Sequence, residues 1–230
     1  MRAGIFVVKK PPGMTSHDVV DVVRRVTGEQ RVGHAGTLDP FATGVLVVGI
    51  GRTATKTLGA VSSGTKKSYR ASIRLGATSD TDDSDGRITV DETVRPPTRD
   101  AVLRSLEQFR GDILQTPPAY SSIKIGGVRS YKRARRGEAV IPVPRNVTVF
   151  SLRLISYVWP DLILDVTCSS GTYIRSLARD LGDALGTGAY CAELVRTAVG
   201  AYRLQDARTL DEIQSDPERY LLSFSSSTSE

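Results

Sequence analysis

Cysteine, histidine and long apolar runs are scarce in this 230-residue chain, and each scarcity excludes something. There are two cysteines, Cys168 and Cys191, and two histidines, His17 and His34. The cysteines form no C-x-x-C pair, which argues against a zinc site or a disulfide framework and fits a reducing compartment. Two histidines cannot build a histidine-rich metal centre. No run approaches the roughly 18 apolar residues of a membrane span. The apolar stretch in MRAGIFVVKKPPG is too short for a signal peptide. A soluble, cytoplasmic protein is therefore expected. The chain has no G-x-x-x-x-G-K-[ST] phosphate loop, no G-x-G-x-x-G dinucleotide fingerprint and no serine in a nucleophile elbow. Enzymatic chemistry falls to carboxylates, tyrosines and arginines. The acidic segment DTDDSDGRITVDE lacks calcium-loop spacing: counted from Asp80, Gly86 falls one place late, and Asp91 stands where a bidentate Glu belongs.

The sequence is 40% hydrophobic and 24% charged, which excludes a wholly disordered chain. Net charge is +6, and its distribution says more than its size. Seven basic residues (Lys124, Arg129, Lys132, Arg133, Arg135, Arg136, Arg145) face one acid, Glu138, so this segment alone carries +6. A solvated helix face is the plain reading of such a cluster. Tyr120 and Tyr131 lie in or beside it, and aromatic residues among basic ones favour RNA contact.

Residues 4–8 (GIFVV) read as a short buried strand, ended by Lys9-Lys10-Pro11-Pro12-Gly13. Thr15 and Asp18 have capping-box spacing, so a helix follows with Val19, Val22, Val23 and Val26 on one face, stopped by Gly28. GVLVVGI at 44–50 reads as a central strand, leaving RVGHAGTLDPFATG as a turn-rich loop held at a strand end. Tyr69, Ala71, Ile73 and Leu75 alternate along a strand over 66–75. Thr98 caps a helix over 99–109, with Val102, Leu103, Leu106 and Phe109 as its stripe. Strands at 147–158 and 161–168 lead into a helix over about 172–185, a strand-like ELVRTAVGAYRL and a short helix near 209–214. Without regular βαβ alternation, these elements predict an α+β fold around a mixed, largely antiparallel sheet. One domain over 1–222 is expected, with 117–145 as a basic thumb-like insertion and 223–230 as a disordered polar tail.

Asp39-Pro40 taken alone is an ordinary turn dipeptide. Its setting singles it out: a Gly-rich loop before a buried strand, with His34 five residues earlier. Burial raises a carboxyl pKa, so an ionised Asp39 there needs a cation beside it. Arg175, at the start of the helix after Gly171-Thr172-Tyr173, is a candidate, although a solvated helix arginine is the plainer reading. The plainer readings of Tyr69 and His34 are a core aromatic and a loop histidine satisfied by backbone groups.

The loop Gly33-His34-Ala35-Gly36-Thr37-Leu38-Asp39-Pro40, continuing through Ala42-Thr43-Gly44-Val45-Leu46, resembles the catalytic motif of the TruB family, the tRNA pseudouridine-55 synthases. Lys10-Pro11 with Gly13, Thr15 and Ser16 resembles that family's opening motif. Lys67-Ser68-Tyr69 is similar to its tyrosine motif, and Gly171-Thr172-Tyr173-Ile174-Arg175 with Asp180-Leu181-Gly182 to a later one. Leu194-Val195-Arg196 and Val199-Gly200 resemble the last. Five motifs in series over roughly residues 4–210 make the resemblance specific.

The resemblance implies a cofactor-free isomerase that converts the uridine at position 55 in the tRNA T-loop to pseudouridine. It implies Asp39 as nucleophile, Arg175 as its ion-pair partner, and Tyr69 as the ring that stacks on the base and assists loss of the C5 proton. The target base must flip out of a folded loop, at a cost of a few kcal/mol, and His34 would fill the gap. Tyr173 and the backbone of Leu194 would line the uracil pocket. Lys124, Arg129, Lys132 and Arg133 in the basic insertion would grip T-arm phosphates. tRNA is the partner expected, bound by a monomer that needs neither a metal nor a protein partner.

The chain departs from the family pattern in two places. Lys9 stands where an acidic residue usually precedes Lys-Pro. Only about 20 residues follow Leu210, too few for the further C-terminal RNA-binding domain that members often carry. Three rival activities share part of the pattern. A tRNA-folding chaperone needs the basic segment but not Asp39. A carboxylate-based nucleoside hydrolase needs little basic surface. A guide-dependent relative would work with small RNAs and partner proteins.

Overall fold

The computed structural model of the chain describes residues 3–223 except 122, 126, 131–132, 134–135 and 139–141. Strand β1 (Gly4–Lys10) and helix α1 (Ser16–Thr27) are followed by β2 (Val32–Ala35), β3 (Thr43–Ile50), α2 (Gly51–Gly64) and β4 (Lys67–Leu75). A small hairpin of β5 (Ala77–Ser79) and β6 (Ile88–Val90) precedes α3 (Arg99–Glu107) and β7 (Gly111–Gln115). Short β8 (Lys124–Ile125) and β9 (Val128–Arg129) lead to the long pair β10 (Arg145–Val158) and β11 (Asp161–Cys168). Next come α4 (Ile174–Leu185), β12 (Ala189–Val199) and β13 (Tyr202–Arg203). The last described elements are α5 (Leu210–Ser215), α6 (Pro217–Tyr220) and β14 (Leu222–Ser223). The α+β class expected from the element pattern is the one observed, with mostly antiparallel pairing and a parallel pairing of β3 with β12.

Two compact units divide the chain: Met1–Tyr69 with Val195–Glu230, and Arg70–Leu194. The chain passes from one to the other inside β4 and again inside β12.

In the first unit the strand order is β14–β1–β3–β12, with β2 also on β3 and β13 on β12. β1 and β3 run antiparallel in unbroken register from Gly4↔Ile50 to Lys10↔Gly44. Side chains alternate across such a pair. Phe6, Val8, Leu46 and Val48 meet Val19, Val20 and Val23 of α1 on one face, while Ile5, Val7, Val45 and Val47 meet Leu58 of α2 on the other. Each fully buried aliphatic side chain here contributes roughly 1.5–3 kcal/mol. α1 begins at the expected capping box, with both reciprocal Thr15–Asp18 bonds present, and ends at Gly28 in the left-handed region. Val20, outside the expected stripe, is buried, and Val26 is only half-buried.

In the second unit the order is β4–β11–β10–β7. β4 shows the expected alternation, with Ala71, Ile73 and Leu75 buried and Arg70 and Arg74 exposed. α3 is shorter than expected and ends at Glu107. Val102 and Leu106, four residues apart, share its buried face, but Leu103 is 39% exposed. One residue of helix rotates a side chain about 100°, which carries Leu103 off that stripe. Both cysteines are buried thiols.

Candidate active site

Asp39 sits half-buried on the loop between β2 and β3, and the backbone on either side of it is tied down. Leu38 is held at both polar atoms by the buried Ser16 hydroxyl. That hydroxyl accepts from the Leu38 amide at 2.8 Å and donates to the Leu38 carbonyl at 3.1 Å. The Pro40 carbonyl accepts from the Gly13 amide at 2.9 Å and from the Lys10 ammonium at 3.2 Å. Lys10 is fully enclosed at the end of β1 and also donates to the carbonyls of Met14 (2.6 Å) and Pro11 (2.8 Å). The Asp39 carbonyl accepts from Ala42 N at 3.1 Å, which closes the turn. The opening motif Lys10-Pro11…Ser16 thus acts locally, fixing the two neighbours of Asp39.

The loop is fastened a second time from β12. Arg196, 1% exposed, donates through Nε to the Val45 carbonyl at 2.7 Å, through Nη2 to Gly36 at 3.0 Å and through Nη1 to Thr37 at 3.4 Å. Its backbone lies beside Gly44, so close that a Cβ on Gly44 would stand 2.3 Å from the Arg196 carbonyl oxygen. Gly44 also has φ +100°, so both space and backbone angle require glycine there.

His34 lies in β2 opposite Val48. Its Nδ1 is buried without a hydrogen-bond partner among the described residues. Burial holds its pKa below the ordinary imidazole value, and the charges of Arg196 and His17 push the same way, against a smaller opposing pull from the Gly36 backbone. Tyr69 is buried at the inward phase of β4. Two residues earlier, in the same phase, Lys67 donates to the Ser62 carbonyl at 2.6 Å and the Thr65 carbonyl at 3.3 Å, capping the end of α2.

The second unit holds Tyr173, Arg175 and Leu194. Tyr173 is the N-cap of α4, and its backbone is gripped by the Gln115 side chain. That amide accepts from Tyr173 N at 2.8 Å and donates to Tyr173 O at 3.0 Å. Arg175 is 3% exposed, so the solvated-arginine reading is excluded. It donates to the carbonyls of Thr81 and Tyr120, each at 2.8 Å, and lies 3.1 Å from the buried Asp83 carboxylate. Nearby, Arg179 bridges Asp82 at 2.9 Å and Asp180 at 2.8 Å. Burial is the largest influence on both of these carboxyls and raises their pKa despite Arg179. Leu194 is buried and is the last residue of this unit, as Tyr69 is the last before the chain enters it.

Of the expected RNA-gripping residues, Lys124 and Arg129 occupy paired positions of the β8–β9 hairpin. Arg133 is half-buried and contacts Glu138 at 2.6 Å. Lys132, like Tyr131, Arg135 and the tail from residue 224, lies outside the described residues.

The sequence alone assigns no individual role to Lys10, Ser16, Lys67, Asp83, Gln115 or Arg196. For two of them it nevertheless carries a signal. Arg196 falls in phase with Leu194 and Ala198 along a strand, and Lys67 in phase with Tyr69. A charged residue at an inward position is either paired or positions something.

Comparison with known proteins bears on this arrangement. A family model described as TruB family pseudouridylate synthase (N terminal domain) matches residues 24–174. A second, described as tRNA pseudouridylate synthase B C-terminal domain, matches residues 175–222. A tRNA pseudouridine synthase B of Mycobacterium tuberculosis is 48% identical over 218 residues, 93% of this chain and 72% of that protein. One of Streptomyces coelicolor is 50% identical over 222 residues, covering 93% and 73%. Among solved structures, a Cbf5–Nop10–Gar1 complex contains a chain 29% identical to this one with a TM-score of 0.72. The match covers 92% of this chain and spans about half of that one, 54%.

Proposed function

The chain belongs to the TruB family of pseudouridylate synthases, and from that premise we propose that it isomerises the uridine at position 55 of the tRNA T-loop to pseudouridine with Asp39 as nucleophile. The observation that carries the assignment of Asp39 is the double anchorage of its neighbours, Leu38 through Ser16 and Pro40 through Lys10 and Gly13. A nucleophile on an immobilised backbone needs little reorganisation to reach the transition state. The reaction breaks the C1′–N1 bond, turns the uracil and joins C1′ to C5. The C5 proton is lost and N1 gains one, so atoms and electrons balance without a redox cofactor. Attack at C1′, attack at C6 and removal of the C2′ proton all begin at this carboxylate.

The remaining roles follow the family pattern. Arg175 supplies the cation that keeps the nucleophile ionised in a dry site, and its own position is set by Asp83 and two backbone carbonyls. Tyr69 stacks on the base and assists loss of the C5 proton. Tyr173, with a backbone fixed by Gln115, and Leu194 line the uracil pocket. His34, kept neutral, takes the place of the flipped base, since a neutral ring stacks among bases without the desolvation cost of an imidazolium. Lys124, Arg129, Lys132 and Arg133 hold phosphates of the T-arm, so affinity should fall steeply with salt. The identity of about half to synthases named for tRNA, against 29% to the chain in the Cbf5–Nop10–Gar1 complex, favours action on tRNA without such protein partners.

Release of tritium from unmodified tRNA labelled at uridine C5 tests the assignment. Wild type is expected to release tritium and Asp39→Asn to bind tRNA without release. Release by Asp39→Asn would remove Asp39 from the chemistry. Free uracil in the supernatant would indicate a hydrolase, and tRNA refolding without release by the wild type would indicate a chaperone.

A further inference from the structure

Arg196 is an unusual expense for a protein to bury. It is the largest side chain with almost no exposure, and no carboxylate lies within ion-pair distance of it among the described residues. Removing a guanidinium from water without a counter-charge is costly unless every donor has a firm partner. The partners here are three backbone carbonyls, and they are not scattered. Gly36 and Thr37 lie on the leg of the Asp39 loop that leaves β2, and Val45 lies in β3, just past the leg that returns. The planar fork therefore bridges the two legs at the base of the loop, a geometry that a single ammonium point charge cannot reproduce.

We propose that Arg196 is a positioning residue for the isomerisation, a clamp that closes the base of the loop over residues 36–45 and so fixes where Asp39 is presented. The proposal rests on the reading of Asp39 as nucleophile. Ser16 and Lys10 fix the neighbours of Asp39 at the loop's tip, and Arg196 fixes its stem, so the backbone is held at two levels. The backbone of Arg196 runs directly against Gly44, where a Cβ would stand 2.3 Å from its carbonyl oxygen, so β12 lies close enough for the guanidinium to reach the loop. The same charge lies close enough to His34 to act on its imidazole, which gives a second, non-catalytic reporter of whether the clamp is in place.

The test uses the full chain carrying Arg196→Met or Arg196→Lys. Single-turnover tritium release, tRNA affinity by filter binding, amide exchange over residues 36–45 and the NMR titration of His34 are compared. Displacing a reacting group by about 1 Å costs on the order of a hundredfold in rate. Arg196→Met should lose about that much with tRNA Kd within about threefold of wild type, and its loop amides should exchange faster. Arg196→Lys should recover part of the rate, since it keeps the charge and reaches one leg at a time. His34 should titrate at higher pH in the Met variant and near wild type in the Lys variant.

Folded variants with wild-type rates would overturn the proposal. So would a loss of affinity as large as the loss of rate, or failure of both variants to fold, since either makes Arg196 a general strut. If the wild type itself releases no tritium, the assignment of function fails instead, and loop exchange with the His34 titration still decides whether the clamp exists.

Discussion

The two units of the molecule hold their enclosed and half-enclosed cations differently. In the first, Arg196 and Lys10 donate to the backbone carbonyls of Gly36, Thr37, Val45, Met14, Pro11 and Pro40. In the second, Arg175 and Arg179 also donate to the carbonyls of Thr81, Tyr120 and Thr116, but lie in addition against the carboxylates of Asp83, Asp82 and Asp180. A carbonyl-bound cation shapes a loop, because each bond fixes a point on the chain, and its partners do not titrate. A carboxylate-bound cation keeps a local charge balance and is sensitive to acid. The first unit thus holds the backbone of the Asp39 loop, and the second holds an arginine, Arg175, in a fixed place of its own.

The comparison breaks most visibly at Asp83. Asp83→Asn takes a carboxylate from beside a guanidinium when both are nearly enclosed, with side-chain exposures of 3% for Arg175 and 6% for Asp83. Loss of one partner of such a pair costs about 3 kcal/mol, which urea unfolding would register. A cost below about 0.5 kcal/mol would show that Asp83 is not what holds Arg175. In the first unit the matching change is Gly44→Ala. It adds a Cβ 2.3 Å from the Arg196 carbonyl at a φ of +100°, and should cost about 2 kcal/mol while loosening the loop. Unchanged stability would mean that β12 yields easily and that the close approach is incidental.

Acid provides the smallest and most selective test. Hydrogen bonds from Arg70 hold the Asp165 carboxyl below its ordinary value of 3.8, so its contribution to stability is present above that pH and lost as pH falls below it. Burial raises Asp82 above 3.8, so the folded state binds that proton more readily than the unfolded one, and acidification relieves a penalty. Urea unfolding between about pH 6 and 3 should show a flatter acid loss in Asp165→Asn and a steeper one in Asp82→Asn. Parallel profiles for both variants would contradict the opposite signs.

Much of the fold is legible in the sequence because local chemistry and periodicity agree. The Thr15–Asp18 box, the alternation of β4 and the long β10–β11 pair each carry a short-range signal. Helix α2 carries none, and the sequence does not predict it. Its segment GRTATKTLGAVSSG is rich in glycine and hydroxyl residues, with only Gly51, Ala54 and Leu58 buried. It forms because Leu58 packs where Gly33 and Gly49 leave room: a Cβ on either would lie 3.1–3.2 Å from the leucine side chain. That complementarity joins residues far apart in the chain and leaves no periodic trace. The site shows the same division. Asp39, His34, Tyr69, Tyr173, Arg175 and Leu194 stand out through motifs. Asp83, Gln115 and the clamp made by Arg196 depend on which buried donor meets which acceptor, and only the folded chain reveals that.

The central claim, isomerisation of one T-loop uridine through Asp39, is tested most directly by mapping the product. Unmodified tRNA treated with the protein is derivatised with a carbodiimide, washed in alkali and read by reverse transcription. A single new stop at the T-loop uridine is expected with wild type, and none with Asp39→Asn or with a transcript carrying cytidine at that position. Stops at other uridines, or a T-loop stop that survives Asp39→Asn, would contradict the account.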